Sequence, residues 1–162
     1  MEAIILVGGF GTRLRPLTLA TPKALLPLAN VPMLERLVRS LPARITKVVL
    51  AVHHQADAIE AHFAAVDCGR EVLTVPEAEP LGTGGAMRNC CNHISGTTLV
   101  FNGDIVSSLD VEAMLSQHHA TDALATLALW KVSDPSRYGV AELDGNTIVG
   151  FQEKPEAGEE RS

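Results

Sequence analysis

The sequence predicts an α/β fold: a three-layer α/β/α sandwich around a mostly parallel sheet. Short continuous apolar runs recur along the chain, as in strands buried on both faces of such a sheet. Stretches with apolar residues at helical spacing separate them. That alternation describes parallel strands joined by helical crossovers, whose ligands bind beyond the carboxyl ends of the strands. At 162 residues, 46% apolar and 20% charged, the chain suffices for one domain whose core needs neither disulfide nor metal.

The first run, Ala3 to Val7, is stopped by Gly8-Gly9. Arg15 to Val31 then reads as a long, stiff, extended segment, because Pro16, Pro22 and Pro27 each fix a backbone angle. Met33, Leu34, Leu37, Val38 and Leu41 fall on one helical face, and Lys47 to Val52 is the second strand. Ala56, Ile59 and Phe63 mark the next helix and Glu71 to Val75 the third strand. Taken alone, Glu79 to Ala86 is a turn leading into a helix capped by Thr83. Thr98 to Phe101 is the fourth strand, and Val111, Met114 and Leu115 mark another helix. Ala123 to Trp130 alternates enough to be a half-exposed strand. Tyr138 to Leu143 and Thr147 to Gln152 flank Asp144-Gly145-Asn146, a hairpin signal. The polar, acidic Glu156 to Ser162 reads as a loop or frayed end.

Composition narrows the function. The net charge of −6 is opposite to the basic footprint of a nucleic-acid binder, so no nucleic-acid partner is expected. Glu2 against Arg13, Arg15 and Lys23 gives the first 23 residues a local +2, leaving −8 for the other 139. Positive charge gathered there suits a small, highly charged anion. No apolar run approaches the roughly 18 residues of a membrane span, and the amino terminus lacks a basic leader, so a cytoplasmic protein without a membrane partner is expected. Cys68, Cys90 and Cys91 are odd in number and form no Cys-x-x-Cys pair; reduced core or surface thiols are expected. The adjacent pairs His53-His54 and His118-His119 would point apart on a regular element, and no zinc site is expected from them.

Glycines 8, 9 and 11 let the backbone turn sharply and bring bare N–H groups against an anion, although a tight strand-to-helix turn would use the same residues. The P-loop spacing is not met, and no third glycine opens a helix as in the dinucleotide fingerprint. No acid follows the second strand either, where Val52-His53-His54 stands, which weakens a dinucleotide-binding oxidoreductase. Guanidinium and ammonium groups over a glycine cradle suit phosphoryl transfer, which runs on positioning and charge stabilisation.

Gly8-Gly9-Phe10-Gly11-Thr12-Arg13-Leu14-Arg15-Pro16-Leu17-Thr18, Thr21-Pro22-Lys23, and Leu26-Pro27 with Asn30 and Pro32 resemble the signature of the sugar-1-phosphate nucleotidyltransferases (NDP-sugar pyrophosphorylases). The resemblance implies a Rossmann-like sheet of the nucleotide-diphospho-sugar transferase type. It also implies that the loop wraps the triphosphate of an NTP, with Arg13 holding the pyrophosphate leaving group and Lys23 neutralising the reacting phosphates. Glu79-Pro80-Leu81-Gly82-Thr83-Gly84-Gly85-Ala86 resembles the family's base-recognition loop. The nucleotide-binding set so implied is Gly8, Gly9, Gly11, Thr12, Arg13, Glu77, Gly82, Thr83 and Asn102. In Asn102-Gly103-Asp104 the family match makes Asp104 the ligand of the cofactor, Mg2+. Asp134-Pro135-Ser136-Arg137-Tyr138-Gly139-Val140 and Phe151-Gln152-Glu153-Lys154-Pro155 resemble two later motifs that imply sugar-phosphate binding by Gly139, Glu153 and Lys154. Without the family, Glu153-Lys154 is a charged pair on a solvated edge.

The motifs keep the family's order across almost the whole chain, with Ala24 where proline is common and Gly85 where alanine is common. Family domains continue beyond Glu-Lys-Pro for several dozen residues that supply a second metal-binding Asp. The expectation is therefore one nucleotidyltransferase domain over 1–162, truncated at its C-terminal side. The greatest similarity is to mannose-1-phosphate guanylyltransferases, implying GTP and mannose-1-phosphate as partners. Thymidylyl- or uridylyltransferases, and a non-catalytic nucleotide-sugar-sensing subunit, are the alternatives. Self-association into a homo-oligomer is left open.

Overall fold

The computed structural model describes residues 1–155. In chain order the regular elements are β1 (Glu2–Val7), the two-residue strands β2 (Pro27–Leu28) and β3 (Val31–Pro32), α1 (Met33–Ser40), β4 (Lys47–Val52), α2 (Ala56–Ala65) and β5 (Glu71–Pro76). They continue with α3 (Gly82–Asn89), β6 (Thr98–Asn102), α4 (Val111–Thr121), β7 (Gly139–Asp144) and β8 (Thr147–Glu153). The chain forms two compact units, Met1–Val111 and a second from Glu112 onward.

The first unit is built on a four-stranded sheet in the order β5-β4-β1-β6. All three pairings are parallel, with Ile5 opposite Leu50 on one side and Phe101 on the other. Successive side chains point to opposite faces. Ala3, Ile5, Val48, Leu50 and Val52 fill one face, while Ile4, Val49, Ala51 and Val75 fill the other with Ala86 and Cys90 of the α3 segment. Both faces are therefore covered, which is why these strands read as unbroken apolar runs. α1 and α2 bury Leu34, Val38 and Ile59 outside the cluster that contains Ala86 and Cys90, as expected when right-handed crossovers put these helices on the face opposite α3. The expected α/β/α sandwich with a parallel sheet is observed. Strand order runs outward from β1 through β4 to β5, then returns to β6 on the other side of β1. The carboxyl ends of β1 and β6 thus flank the switch point where such sheets bind ligands.

In the second unit α4 is followed by the hairpin β7–β8, whose two-residue turn has Gly145 at φ 59°. Gly139 faces Glu153 across the ladder, and the register shifts at Glu142/Leu143.

Three local expectations are corrected. Arg15 to Val31 is not extended: turns bonded Leu17 N–H to Leu14 O and Leu19 N–H to Pro16 O lead to a 3-10 turn at Lys23–Leu25 and the β2–β3 pair. A proline angle near −65° serves turns as well as extended chain, so prolines alone could not choose. Thr83 does not cap α3; the helix begins at Gly82 after Leu81, with no side-chain cap, and Thr83 is its second residue. Ala123 to Trp130 is no strand among the described residues, and Leu124 and Trp130 stand in solvent at 103% and 87% exposure. Alternation names the faces a strand would have, but a strand also needs a bonded neighbour. The tail Glu156 to Ser162 lies outside the described residues.

Candidate active site

The site is assembled at the carboxyl edge of the first unit's sheet. β1 runs directly into Gly8-Gly9, and a Cβ added at either glycine would meet nothing within 4 Å, so their backbone faces open space. Gly11 differs: at φ 63° its Cβ would lie 2.8 Å from Thr18 Cγ2. The buried Thr18 donates its hydroxyl to Gly11 O at 2.8 Å, closing the loop on itself. Thr12 to Leu14 make one 3-10 turn, with Arg13 exposed.

On the other side of β1, Gly103 donates its N–H to Leu6 O at 2.9 Å. Its Cβ would sit 3.0 Å from that same oxygen and 3.2 Å from side-chain carbons of Ile5 and Val7. Only a residue without a side chain lets the end of β6 lie this close to β1 and hold Asp104 over the edge. There Lys23 Nζ meets Asp104 Oδ2 at 2.6 Å across 81 residues of sequence. Both side chains are partly exposed, at 26% and 49%, so the contact's worth lies in placing one cation and one oxygen donor together rather than in stability.

These residues border an open cleft of about 330 Å³. Its wall contains Gly8, Gly9, Lys23, Asn102 and Asp104 from the β1 and β6 side, and Glu77, Gly82 and Thr83 from the β5 and α3 side. Eight of the residues singled out from the sequence are thereby brought together. Gly11, Thr12 and Arg13 do not border the cleft; they form the outer turn of the loop above it. Gly139, Glu153 and Lys154 belong to the second unit, where Lys154 Nζ pairs with Glu153 Oε1 at 3.3 Å and both are largely exposed. Lys154, at φ 44°, follows the end of β8 and donates its N–H to Tyr138 O.

Sequence reasoning missed three contributors. Gly103 was legible only as part of Asn-Gly-Asp, because its need for close approach is set by β1 across the ladder. Phe10 and His53 form the second omission: the Phe10 ring lies 5.3 Å from His53 and 5.2 Å from His54. The two histidines follow the end of β4, so strand alternation no longer separates them and both flank one ring. His53 borders the cleft, and its Nδ1 lies 3.4 Å from Glu77 O, linking the glycine loop to the loop that follows β5. The third is Thr18. No group of three His, Cys, Asp or Glu side chains suited to hold a metal occurs among the described residues. Asp104 brings one carboxylate to the cleft wall at the end of β6, and magnesium is a cation that takes one or two carboxylates and completes its shell with phosphate oxygens and water.

Comparison with known proteins places the chain in a family. A sequence profile of the family described as nucleotidyl transferase matches residues 2–161. A mannose-1-phosphate guanylyltransferase of Mycobacterium tuberculosis is 40% identical over 160 residues, covering 96% of this chain and 45% of that protein. The mannose-1-phosphate guanyltransferase beta-B of Xenopus laevis is 38% identical over 164 residues, covering 96% and 46%. The chain thus spans about half the length of the curated relatives it matches. Among solved structures, HddC from Yersinia pseudotuberculosis complexed with GMP-PN superposes with a TM-score of 0.76 at 29% identity, covering 94% of this chain and 69% of that one.

Proposed function

This chain belongs to the nucleotidyl transferase family, and from that premise we propose that it transfers a guanylyl group from GTP to mannose-1-phosphate, giving GDP-mannose and pyrophosphate. In this reading a phosphate oxygen of the sugar-1-phosphate attacks the α-phosphorus of GTP, the bond from that phosphorus to the bridging oxygen breaks, and pyrophosphate leaves. No covalent intermediate on the protein is needed. The observation that carries the reading is the convergence of Gly8-Gly9, Lys23 and Asp104 on one cleft at the sheet's switch point.

The glycine loop offers bare backbone to the triphosphate, Lys23 spreads the charge on the reacting phosphates, and Arg13 receives the leaving pyrophosphate. Asp104 would hold Mg2+, which when bound supplies further neutralisation of the phosphate oxygens. Gly139, Glu153 and Lys154 would take the sugar-1-phosphate, Glu153 accepting from hydroxyls and Lys154 meeting the phosphate. The guanylyl and mannosyl assignments rest on the relatives named above.

Pyrophosphate release tests the reading, with GTP, UTP, dTTP and ATP each offered alongside mannose-1-phosphate or glucose-1-phosphate. Fastest release from GTP with mannose-1-phosphate is expected. Binding of GTP with no release from any pair would overturn transfer in favour of a nucleotide-sensing role.

A further inference from the structure

β2 and β3 form a hairpin that its own sequence serves poorly. Ala29 and Asn30 join the two strands at φ 50° and 65°. A two-residue connection with positive φ at both positions normally carries Asn-Gly, because a Cβ crowds the left-handed backbone; asparagine tolerates that conformation and alanine resists it. In the ladder Pro27 stands opposite Pro32, so neither member of that pair has an N–H to give. Pro27, Leu28, Ala29 and Asn30 are all exposed, so packing does not hold the tip in place.

Arg36 meets this strained tip from α1. Its Nε donates to Leu28 O at 2.7 Å and its Nη2 to Ala29 O at 3.0 Å. The planar fork fixes two successive carbonyls at once. α1 is a firm post for it, since Leu34 and Val38 have no exposed surface and Glu35 meets His62 of α2 at 3.0 Å. Arg36 itself does not border the cleft.

The hairpin continues directly from the turn that carries Lys23. Pro22 and Ala24 are buried and anchor the start of that turn. Leu26 N–H then bonds to Lys23 O at 3.2 Å, and Leu26 O receives Met33 N–H at the foot of α1. The Lys23 ammonium rides on a flexible four-carbon stem, so its place over the phosphates depends on where the backbone holds the residue. A shift of about 1 Å in such a group is enough to remove much of its effect. We propose that Arg36 is a positioning residue for nucleotidyl transfer: its guanidinium holds the strained Ala29–Asn30 turn, and through β2 that turn holds Lys23 at the cleft.

This inference rests on the reading of Lys23 as a cation at the triphosphate, and a double-mutant cycle separates the two. Calorimetry would measure GTP binding to the whole chain, to Arg36→Met, to Lys23→Ala and to the double variant, each well below its melting temperature. Met keeps an unbranched stem and removes both donors. Arg36→Met should weaken GTP binding at least about 5-fold when Lys23 is present, and less than about 2-fold where Lys23 is already alanine. A loss of equal size in both backgrounds means that Arg36 acts by its charge or on the fold at large; it overturns the positioning role and leaves the triphosphate site standing. Undiminished affinity in Arg36→Met overturns it as well. Should Arg36→Met not fold, Arg36→Lys, which keeps the charge and loses the fork, takes its place in the cycle and is judged by the same outcomes. Lys23→Ala binding GTP as tightly as the wild type overturns the reading of Lys23 and the inference with it. No GTP binding by the wild type overturns the reading of the cleft itself.

Discussion

Asp104 and Arg13 are the groups to which the proposed reaction gives the magnesium and the leaving pyrophosphate. Replacing either by alanine should lower pyrophosphate release by roughly 10²-fold, as removal of one charge-stabilising donor commonly does. Near-normal turnover would show that the roles are misassigned. Arg13 is the sharper test, because it stands on the outer turn of the loop rather than on the cleft wall. The cysteines give a second residue-level outcome. Cys91 is exposed, whereas burial first, and then the charge of Glu77, pushes the Cys90 thiol up to about 11, and burial also raises Cys68. Since the thiolate is the nucleophile, iodoacetamide at pH 8 should modify one thiol of the native chain, at Cys91. Equal labelling of all three by mass spectrometry would contradict the burial.

Between elements, the loop and the helices each have one joint that can be broken alone. Gly11→Ala meets both a left-handed backbone and the Thr18 methyl, so it should destabilise by about 1–2 kcal/mol and weaken GTP binding. Gly8→Ala has open space and should leave stability unchanged, so denaturant midpoints of the pair separate loop closure from ligand approach. Between α1 and α2, the buried Glu35 accepts from Arg39 Nε at 2.8 Å and meets His62 Nε2 at 3.0 Å. The Arg39 hydrogen bond, opposed by burial and aided by His62, holds the Glu35 carboxyl below its ordinary value of 4.5. A depressed folded value means that the stabilisation is complete above pH 4.5 and is lost as pH falls through the lower folded value. Glu35→Gln should therefore lower the urea midpoint at pH 7 and flatten its fall below pH 4.5; an unaltered pH profile would remove Glu35 from the linkage.

Across the molecule, stability should concentrate in the two central strands of the first unit's sheet. β1 and β4 are paired on both sides and covered on both faces, whereas β5 and β6 are edges of that sheet. Amide hydrogen exchange should accordingly be slowest over Ile4–Leu6 and Val48–Ala51. Leu50→Ala, at a side chain with no exposed surface, should cost about 2–5 kcal/mol. By itself the sequence determined which segments become the parallel strands, since Ala3 to Val7 or Lys47 to Val52 can satisfy so many apolar side chains only inside a covered sheet. It also showed the glycines, Arg13 and Lys23 as one motif, because they lie close together in the chain. The tertiary structure alone decided that Lys23 meets Asp104, that Gly103 is wedged against Leu6, and that Phe10, His53 and Glu77 O form one chain of contacts. Those relations join residues as far apart as Leu6 and Gly103, or Lys23 and Asp104, fixed by strand order and register rather than by local spacing. Ala123 to Trp130 failed as a strand for the same reason, since periodicity describes a segment's faces but pairing belongs to its neighbours.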